Sequence, residues 1–211
     1  LLDDVAVIYG LKACGTIRSI SLGHSIYVGI VKSGLDQNST VGNMLVDMFG
    51  KCGLLEEAQQ AFDKLLSRDN VSWSSLMMGY AQHGQGHDSL SCFERMLSEG
   101  FQPDAVTFTC ILKACGSIQS IEKGIQIHGD IVCRGLLQKD IVLGTALVDM
   151  YVKCGALSKA RKVLQTLSIR STVSWNALIA GYAQQGQGHE ALKAFEWMQS
   201  EGLSPNVVTF T

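Results

Sequence analysis

The chain contains one stretch of sequence twice. Residues 71–109 read VSWSSLMMGYAQHGQGHDSLSCFERMLSEGFQPDAVTFT, and residues 173–211 read VSWNALIAGYAQQGQGHEALKAFEWMQSEGLSPNVVTFT, 102 residues later and without a gap. The copies are identical at 24 of 39 positions, whereas unrelated stretches of ordinary composition agree at about one position in fifteen. Such self-similarity predicts an array of stacked units, each packed on its neighbours.

Shorter motifs recur at nearly the same distance and divide the duplicated unit into three. LVDMFGKCG at residues 45–53 matches LVDMYVKCG at 147–155, and LKACG at 11–15 recurs at 112–116. A unit of 102 residues is too long for one supersecondary repeat, which has about 20 to 50 residues. The chain therefore divides into repeats at 4–38, 39–69, 70–104, 105–140, 141–171 and 172–206, and residues 207–211 start a further repeat.

Each repeat has the pattern of two amphipathic helices. In repeat 70–104, five apolar residues have the spacing of one helix face: Trp73, Leu76, Met77, Tyr80 and Ala81. We expect this face, with Trp73 and the equivalent Trp175, to be buried between helices. Glycines are expected at the helix ends, so that in repeat 4–38 the first helix ends at Gly15 and the second at Gly34.

Composition excludes several classes of function. The net charge is −2 and the pI is about 6.2, so the chain offers no overall positive field for phosphates. No run of about 18 apolar residues occurs, and we therefore expect no membrane span. Cys14 and Cys115 share one place of the repeat, as do Cys52 and Cys154, which is typical of small buried residues. We expect no metal site and no cofactor.

The ends of the sequence indicate a piece of a longer protein. The chain does not begin with Met, and it ends five residues into a repeat. A targeting peptide missing from it would therefore carry no information.

Three motifs carry a resemblance to a known family. SWNALIAGYAQQGQGHEALKAFEWMQSEGLSPN, LVDMYVKCGALSKARKVL and TFTCILKACG resemble the P, S and L variants of pentatricopeptide repeats (PPR). The order L, S, P, L, S, P, with lengths of 35, 31, 35, 36, 31 and 35 residues, resembles the PLS subfamily of land plants. The resemblance implies an all-α, right-handed superhelical solenoid of helix-turn-helix repeats.

The resemblance also implies a ligand, which is single-stranded RNA of mitochondria or plastids. In this family each repeat meets one base, so sequence is recognised without a large positive field. Two places of the repeat carry the code, namely the fifth residue and the last residue. A residue at the second place, often Val, packs on the base, and here Val71 and Val173 occupy it.

The code places are filled as follows. Asn43 with Asp69 resembles a uracil reader, Ser74 with Asp104 a guanine reader, and Asn176 with Asn206 a pyrimidine reader that leans to cytosine. Thr109 with Asp140 would suggest guanine, although L repeats recognise bases weakly. Thr145 with Ser171 departs from the usual pattern, because Asp is expected at the second of these places, and Ile8 with Asn38 fits no code.

Some of these residues have a simpler interpretation. Asn, Ser and Thr near a helix start cap helices in many proteins, and only the repeat register favours base reading. Lys51 and Lys153 match a first-helix lysine that lies near phosphates in the family, and a solvated cation at a helix end explains them equally well.

The usual work of PLS-type members is to direct C-to-U editing of organellar RNA, with proteins of the editing complex as further partners. An enzyme that deaminates the base itself needs H-x-E and P-C-x-x-C, and neither motif occurs in the sequence. Catalysis would then lie in a missing C-terminal domain or in a partner. The alternative is a tetratricopeptide-like solenoid that binds proteins.

Overall fold

A computed structural model describes residues 4–35, 38–138 and 140–210 of the chain. The three residues before the first repeat, residues 36 and 37 of repeat 4–38, residue 139 of repeat 105–140, and Thr211 lie outside the described residues. Twelve α-helices lie in these ranges: α1 Asp4–Ile17, α2 Ile20–Ser33, α3 Ser39–Cys52, α4 Leu55–Asp63, α5 Asn70–Gln82, α6 Gly86–Ser98, α7 Ala105–Ser117, α8 Ile121–Cys133, α9 Ile141–Lys153, α10 Leu157–Thr166, α11 Thr172–Gln184 and α12 Gly188–Ser200. A short 3₁₀ helix, Val207–Phe210, follows them, and the described part of the chain contains no strand.

The odd-numbered helices α1 to α11 each begin at the first residue of a predicted repeat, and the even-numbered helices form the second half of each repeat. The residue before a first helix commonly caps it. Asn38 accepts the backbone N–H groups of Thr40 and Val41 at the start of α3, and Asp69 accepts that of Ser72 at the start of α5. These caps satisfy donors that have no partner inside the helix, and they fix where each repeat starts.

The chain forms two compact units, residues 1–114 and 115–211. In the first unit, the first helices α1, α3 and α5 pack side by side, and each second helix packs on the first helix of its own repeat. In the second unit, α9 and α11 pack in the same way and carry α10 and α12. Each unit therefore contains a row of first helices whose N-terminal ends lie next to one another.

The predicted apolar face lies in the core. Trp73 and Trp175 are buried, as the sequence predicts. The Trp73 ring meets the edge of the Phe62 ring at 4.6 Å between centroids, and the Arg95 guanidinium lies 5.4 Å from the Trp73 ring centre. Tyr80 is only half-buried, because its hydroxyl reaches outward and donates to Oε1 of Gln59 at 3.0 Å.

The predicted end of α1 at Gly15 is wrong. The helix continues to Ile17, and Gly15 is buried inside it, where an added Cβ would lie 3.2 Å from Cδ of Lys51. Arg18, with a φ of 53°, makes the turn instead. Gly15 is thus a packing glycine, whereas Gly34 ends α2 in the left-handed conformation as predicted.

Two further expectations concern the burial of the cysteines and the absence of a membrane-spanning helix. All seven cysteines are free thiols, and Cys14 and Cys115 are buried while Cys52 and Cys154 are partly exposed. Burial raises the pKa of the Cys115 thiol to about 11, which makes it a poor nucleophile. None of the described helices is both long and apolar enough to cross a membrane.

Two glycines allow α3 and α5 to approach closely. A Cβ built on Gly79 would lie 2.9 Å from the backbone Cα of Gly50. Because a backbone atom cannot rotate away as a side chain can, Gly79→Ala should push the helices apart. We expect the substitution to lower the free energy of unfolding by about 1–3 kcal/mol and to lower the melting temperature measured by circular dichroism.

Gly129→Ala is the matched control for this prediction. Gly129 lies inside α8, and nothing lies within 4 Å of its built Cβ. Alanine there should raise stability by up to about 1 kcal/mol, because it favours helix more than glycine does. Equal effects of the two substitutions would contradict the close approach of α3 and α5.

Candidate nucleic-acid interface

The fifth residue of each repeat lies one turn into a first helix, and the last residue lies just before the next first helix. In three repeats the two places come within hydrogen-bond distance of each other, and in a fourth a shared hydroxyl connects them. The clearest pair is Asn43 and Asp69. Nδ2 of Asn43 donates to Oδ1 and Oδ2 of Asp69, each at 3.2 Å, and Oδ1 of Asn43 is buried without a partner among the described residues.

Ser74 and Asp104 are brought together by a third residue. Oγ of Ser74 lies 3.2 Å from Oγ1 of Thr107, which donates to Oδ1 of Asp104 at 2.9 Å. The backbone N–H of Thr107 donates to the same oxygen at 2.8 Å, so Asp104 also caps α7. The two code residues therefore share one hydroxyl instead of touching directly.

The carboxylate of Asp104 is held in its ionised form. Partial burial alone would raise the pKa of Asp104, but the backbone and side-chain hydrogen bonds from Thr107 and a longer one from Asn70 outweigh it. The pKa of Asp104 is consequently below its usual value. Near neutral pH this group accepts hydrogen bonds and donates none.

Asn176 and Asn206 form the corresponding pair in the second unit. Nδ2 of Asn176 donates to Oδ1 of Asn206 at 3.0 Å, and the Thr209 hydroxyl donates to Oδ1 of Asn176 at 2.8 Å. The backbone N–H of Thr209 lies 3.3 Å from Oδ1 of Asn206. Asn206 thus contacts the next repeat as Asp104 does.

Thr145 and Ser171 also meet, although Ser171 departs from the family pattern. Their hydroxyl oxygens are 3.3 Å apart. Ser171 caps α11 in a capping box with Ser174, where each side chain accepts the other's backbone N–H. The pair offers hydroxyls only, and its base remains unassigned.

In the L repeats, the polar residues at the code places form hydrogen bonds with backbone groups close by in the sequence. The Thr109 hydroxyl donates to the carbonyl of Ala105 in its own helix at 2.8 Å, and Asp140 caps α9 through the N–H of Leu143 at 2.9 Å. Asn38 caps α3, and Ile8 is an apolar, partly exposed residue of α1. Weak base recognition by the L repeats stays a prediction.

A row of exposed valines accompanies the pairs. Val71 and Val173, predicted to pack on bases, are exposed, and three further valines occupy the same place of other repeats: Val5, Val106 and Val142. All five are between 54% and 66% exposed, which is unusual for apolar side chains on otherwise packed helices. Applying the repeat register to every repeat would have found the other three.

A cavity of about 470 Å³ lies between Val71 and Val106. Ser74 and Asp104 line it together with Asn70 and other residues of α3, α5 and α7. The lining of the cavity thus combines the exposed valines with Ser74 and Asp104, the polar pair predicted to recognise guanine. A flat heterocycle with hydrogen-bonding edges matches this combination.

Lys51 and Lys153, placed near phosphates by the resemblance, form ion pairs within their helices. Nζ of Lys51 lies 2.5 Å from Oδ2 of Asp47, and Nζ of Lys153 lies 2.6 Å from Oδ2 of Asp149. Exposed pairs of this kind stabilise a helix by only a few tenths of a kcal/mol, about 0.3–0.5. Each lysine is therefore partly neutralised but can turn to another anion at little cost.

Two family models match the chain. The model described as the PPR repeat family matches residues 68–117 and 170–211, and the model described as the PPR repeat matches residues 43–70. Together they cover more than half of the sequence. The chain belongs to the pentatricopeptide repeat family.

Curated relatives support the same assignment. A chloroplastic PPR-containing protein of Arabidopsis thaliana is 40% identical over 207 residues, which are 98% of this chain and 26% of that protein. A mitochondrial one from the same plant is 39% identical over an alignment of 220 positions, which covers 95% of this chain and 24% of that protein. These names agree with the expected organellar location. This PPR protein chain spans about a quarter of each of these two relatives.

Solved structures show the fold. The crystal structure of PPR10 from maize matches the whole chain with a TM-score of 0.71 at 19% identity, and the match covers 30% of the PPR10 chain. PPR10 in complex with an 18-nt psaJ RNA element matches it with a TM-score of 0.66 at 17% identity, and the match covers 37% of that PPR10 chain. The predicted all-α solenoid fold is confirmed, while the P, L and S types of single repeats stay a prediction.

The cap formed by Asp104 predicts a pH-dependent contribution to stability. Asp104→Ala removes the acceptor for the N–H of Thr107 and should lower the free energy of unfolding by about 1 kcal/mol at neutral pH. Because the pKa of Asp104 is lowered on folding, the contribution is present above the unfolded-state pKa and is lost as pH falls through the folded-state pKa. Denaturant unfolding at neutral and acidic pH measures it.

Asp104→Asn is the control for this cap. The carboxamide oxygen of Asn can accept the same N–H, so this variant should keep most of the stability and lack the dependence on Asp104 protonation. If the difference in the free energy of unfolding between wild type and Asp104→Ala stays constant down to strongly acidic pH, the ionised carboxylate of Asp104 is not the cap.

Proposed function

We propose that this PPR protein is a sequence-specific single-stranded RNA-binding segment of an organellar RNA-processing factor that directs C-to-U editing. The observation that supports RNA recognition is the recurring pair at the fifth and last places, which occurs with an exposed valine in both P repeats. Side chains repeated at one spacing can each meet one unstacked base. The proposed location is the mitochondrion or the plastid.

The contacts of the pairs support individual base assignments. Asn43 with Asp69 would bind uracil, and Ser74 with Asp104 would bind guanine. Asn176 with Asn206 would bind a pyrimidine, preferably cytosine. Because the N-terminal repeat lies toward the 5′ end of RNA in this family, the guanine follows the uracil directly, and two positions separate it from the pyrimidine.

The chemistry of the chain supports recognition without catalysis. None of the five histidines is followed two places later by Glu, and no two cysteines are three residues apart, so the zinc signature of a base deaminase is missing from this chain. We propose that deamination belongs to another domain or to an editing-complex protein. The assignment to editing rests on the L, S, P order of the repeats.

Ser74→Asn in the full-length protein tests the assignment. Asn43 and Asn176 occupy the equivalent place and are as buried as Ser74, so the fold accepts Asn there. Selection from a randomised RNA pool should show a change from guanine toward uracil at one position, because the carboxamide offers both a donor and an acceptor beside Asp104. Base discrimination should change by about 1–3 kcal/mol.

Ser25→Asn on α2 is the matched control, since Ser25 is exposed and its hydroxyl donates to Ser21 of its own helix. This variant should select the same RNA as wild type. An unchanged base in Ser74→Asn, or a change at a different position, would show that the register is wrong. Saturable binding to proteins without any RNA binding would favour the protein-binding scaffold.

A further inference from the structure

In two of the candidate base-reading pairs, the hydroxyl of the third residue of the following repeat contacts both members of the pair. This residue is Thr107 beside Ser74 and Asp104, here called the guanine pair. It is Thr209 beside Asn176 and Asn206, here called the cytosine pair. Thr107 is fully buried and does not line the cavity between Val71 and Val106. It can therefore act on a bound base only through the residues that it touches.

In the guanine pair, the direction of each hydrogen bond follows from the carboxylate. The oxygens of ionised Asp104 only accept, so the Thr107 hydroxyl, 2.9 Å from Oδ1, must donate its single proton to Asp104. The Ser74 hydroxyl, 3.2 Å from Oγ1 of Thr107, must then donate to Thr107. Ser74 and Asp104 are left with lone pairs alone to offer to a base.

An acceptor-only pair discriminates among bases. Guanine carries two adjacent donors, N1–H and the 2-amino group, on its Watson–Crick edge. Adenine carries the acceptor N1 beside its 6-amino group, so N1 would face a lone pair of Ser74 or Asp104. Base edges in single-stranded RNA are recognised by such patterns, and this one favours guanine over adenine.

In the cytosine pair, the direction follows from a backbone amide. The N–H of Thr209 donates to Oδ1 of Asn206, so Nδ2 of Asn176 must donate to the same oxygen and Oδ1 of Asn176 faces the Thr209 hydroxyl. The groups left to contact a base are the second Nδ2 hydrogen of Asn176 and the Nδ2 hydrogens of Asn206, for which the described part of the chain provides no other acceptor. Cytosine offers the adjacent acceptors N3 and O2, whereas uracil offers N3–H.

In the pair of Asn43 and Asp69, here called the uracil pair, no hydroxyl from the described residues of the following repeat contacts both side chains. Ser72 occupies the equivalent place, but its hydroxyl donates to the backbone carbonyl of Asp69 and accepts the N–H of Asp69. Oδ1 of Asn43 is left buried and without a partner among the described residues. Asn43 therefore keeps a free acceptor for N3–H of uracil, although it is the same residue type as Asn176.

We propose that Thr107 and Thr209 are positioning residues that determine base specificity by setting the hydrogen-bond polarity of their pairs. Thr107 makes the pair of Ser74 and Asp104 an acceptor of hydrogen bonds, and Thr209 makes the pair of Asn176 and Asn206 a donor. This inference rests on the RNA-binding function proposed above.

Thr107→Val and Thr209→Val test the proposal in opposite directions. Valine has nearly the shape of threonine, and the backbone N–H that reaches the capping residue remains. The experiment measures the binding of the full-length protein to two sets of four RNAs. One set varies the base opposite the guanine pair, and the other varies the base opposite the cytosine pair.

The two variants should change base preference without a general loss of binding. Thr107→Val frees the Ser74 proton, so a preference for guanine over adenine of about tenfold should fall to about threefold or less. Thr209→Val frees an acceptor on Asn176, so the preference for cytosine over uracil should fall by a similar factor. Each variant should leave the preference at the other pair unchanged.

Thr16→Val is the control, since Thr16 is an exposed residue of α1 whose hydroxyl donates to Lys12 of the same helix. It should bind all eight RNAs as wild type does. If the threonine variants weaken binding to all four bases equally, the proposal fails and base reading by the pairs stands. If wild type itself shows no base preference at either position, the proposed function fails.

Discussion

The structure depends on the caps at the start of the first helices α3, α5, α7, α9 and α11. A helix begins with backbone N–H groups that lack partners inside it, and in this chain the last residue of the preceding repeat supplies the acceptor. Asp140 does so with Oδ1. Asp69 caps α5 with Oδ1, and both of its carboxylate oxygens also accept from Nδ2 of Asn43. A carboxylate that caps a helix can therefore also accept a hydrogen bond from the fifth residue of its repeat, so capping is compatible with the proposed base reading by the same side chain.

Much of the fold could be predicted from the sequence, because apolar spacing and duplication report directly on helices and stacking. The end of α1 at Gly15 was predicted incorrectly, since a glycine that terminates a helix and a glycine that admits a neighbouring side chain look alike in sequence. The code places were assigned from the family register, and their base reading stays a prediction. The contacts of Thr107 could not be predicted, because they depend on the side-chain rotamer that directs its hydroxyl to Asp104 and Ser74 instead of to the backbone.

The net charge of the chain bears on how the proposed RNA recognition would gain its affinity. The net charge is −2, and the two first-helix lysines that the resemblance places near phosphates, Lys51 and Lys153, already form ion pairs with carboxylates four residues earlier. Binding driven by phosphates alone would be weak for such a chain. The proposed base contacts would give a different source of affinity, because a buried acceptor without a partner among the described residues, such as Oδ1 of Asn43, gains more from a new partner than an exposed one does.

The central claim is that each repeat meets one base. Binding of the full-length protein to RNAs that carry U-G, a spacer and then C tests it directly, with spacers of one, two or three nucleotides. Two repeats, 105–140 and 141–171, separate the guanine pair from the cytosine pair, so the two-nucleotide spacer should bind tightest, by about tenfold over the others. Equal binding of all three spacers would contradict recognition of one base by each repeat.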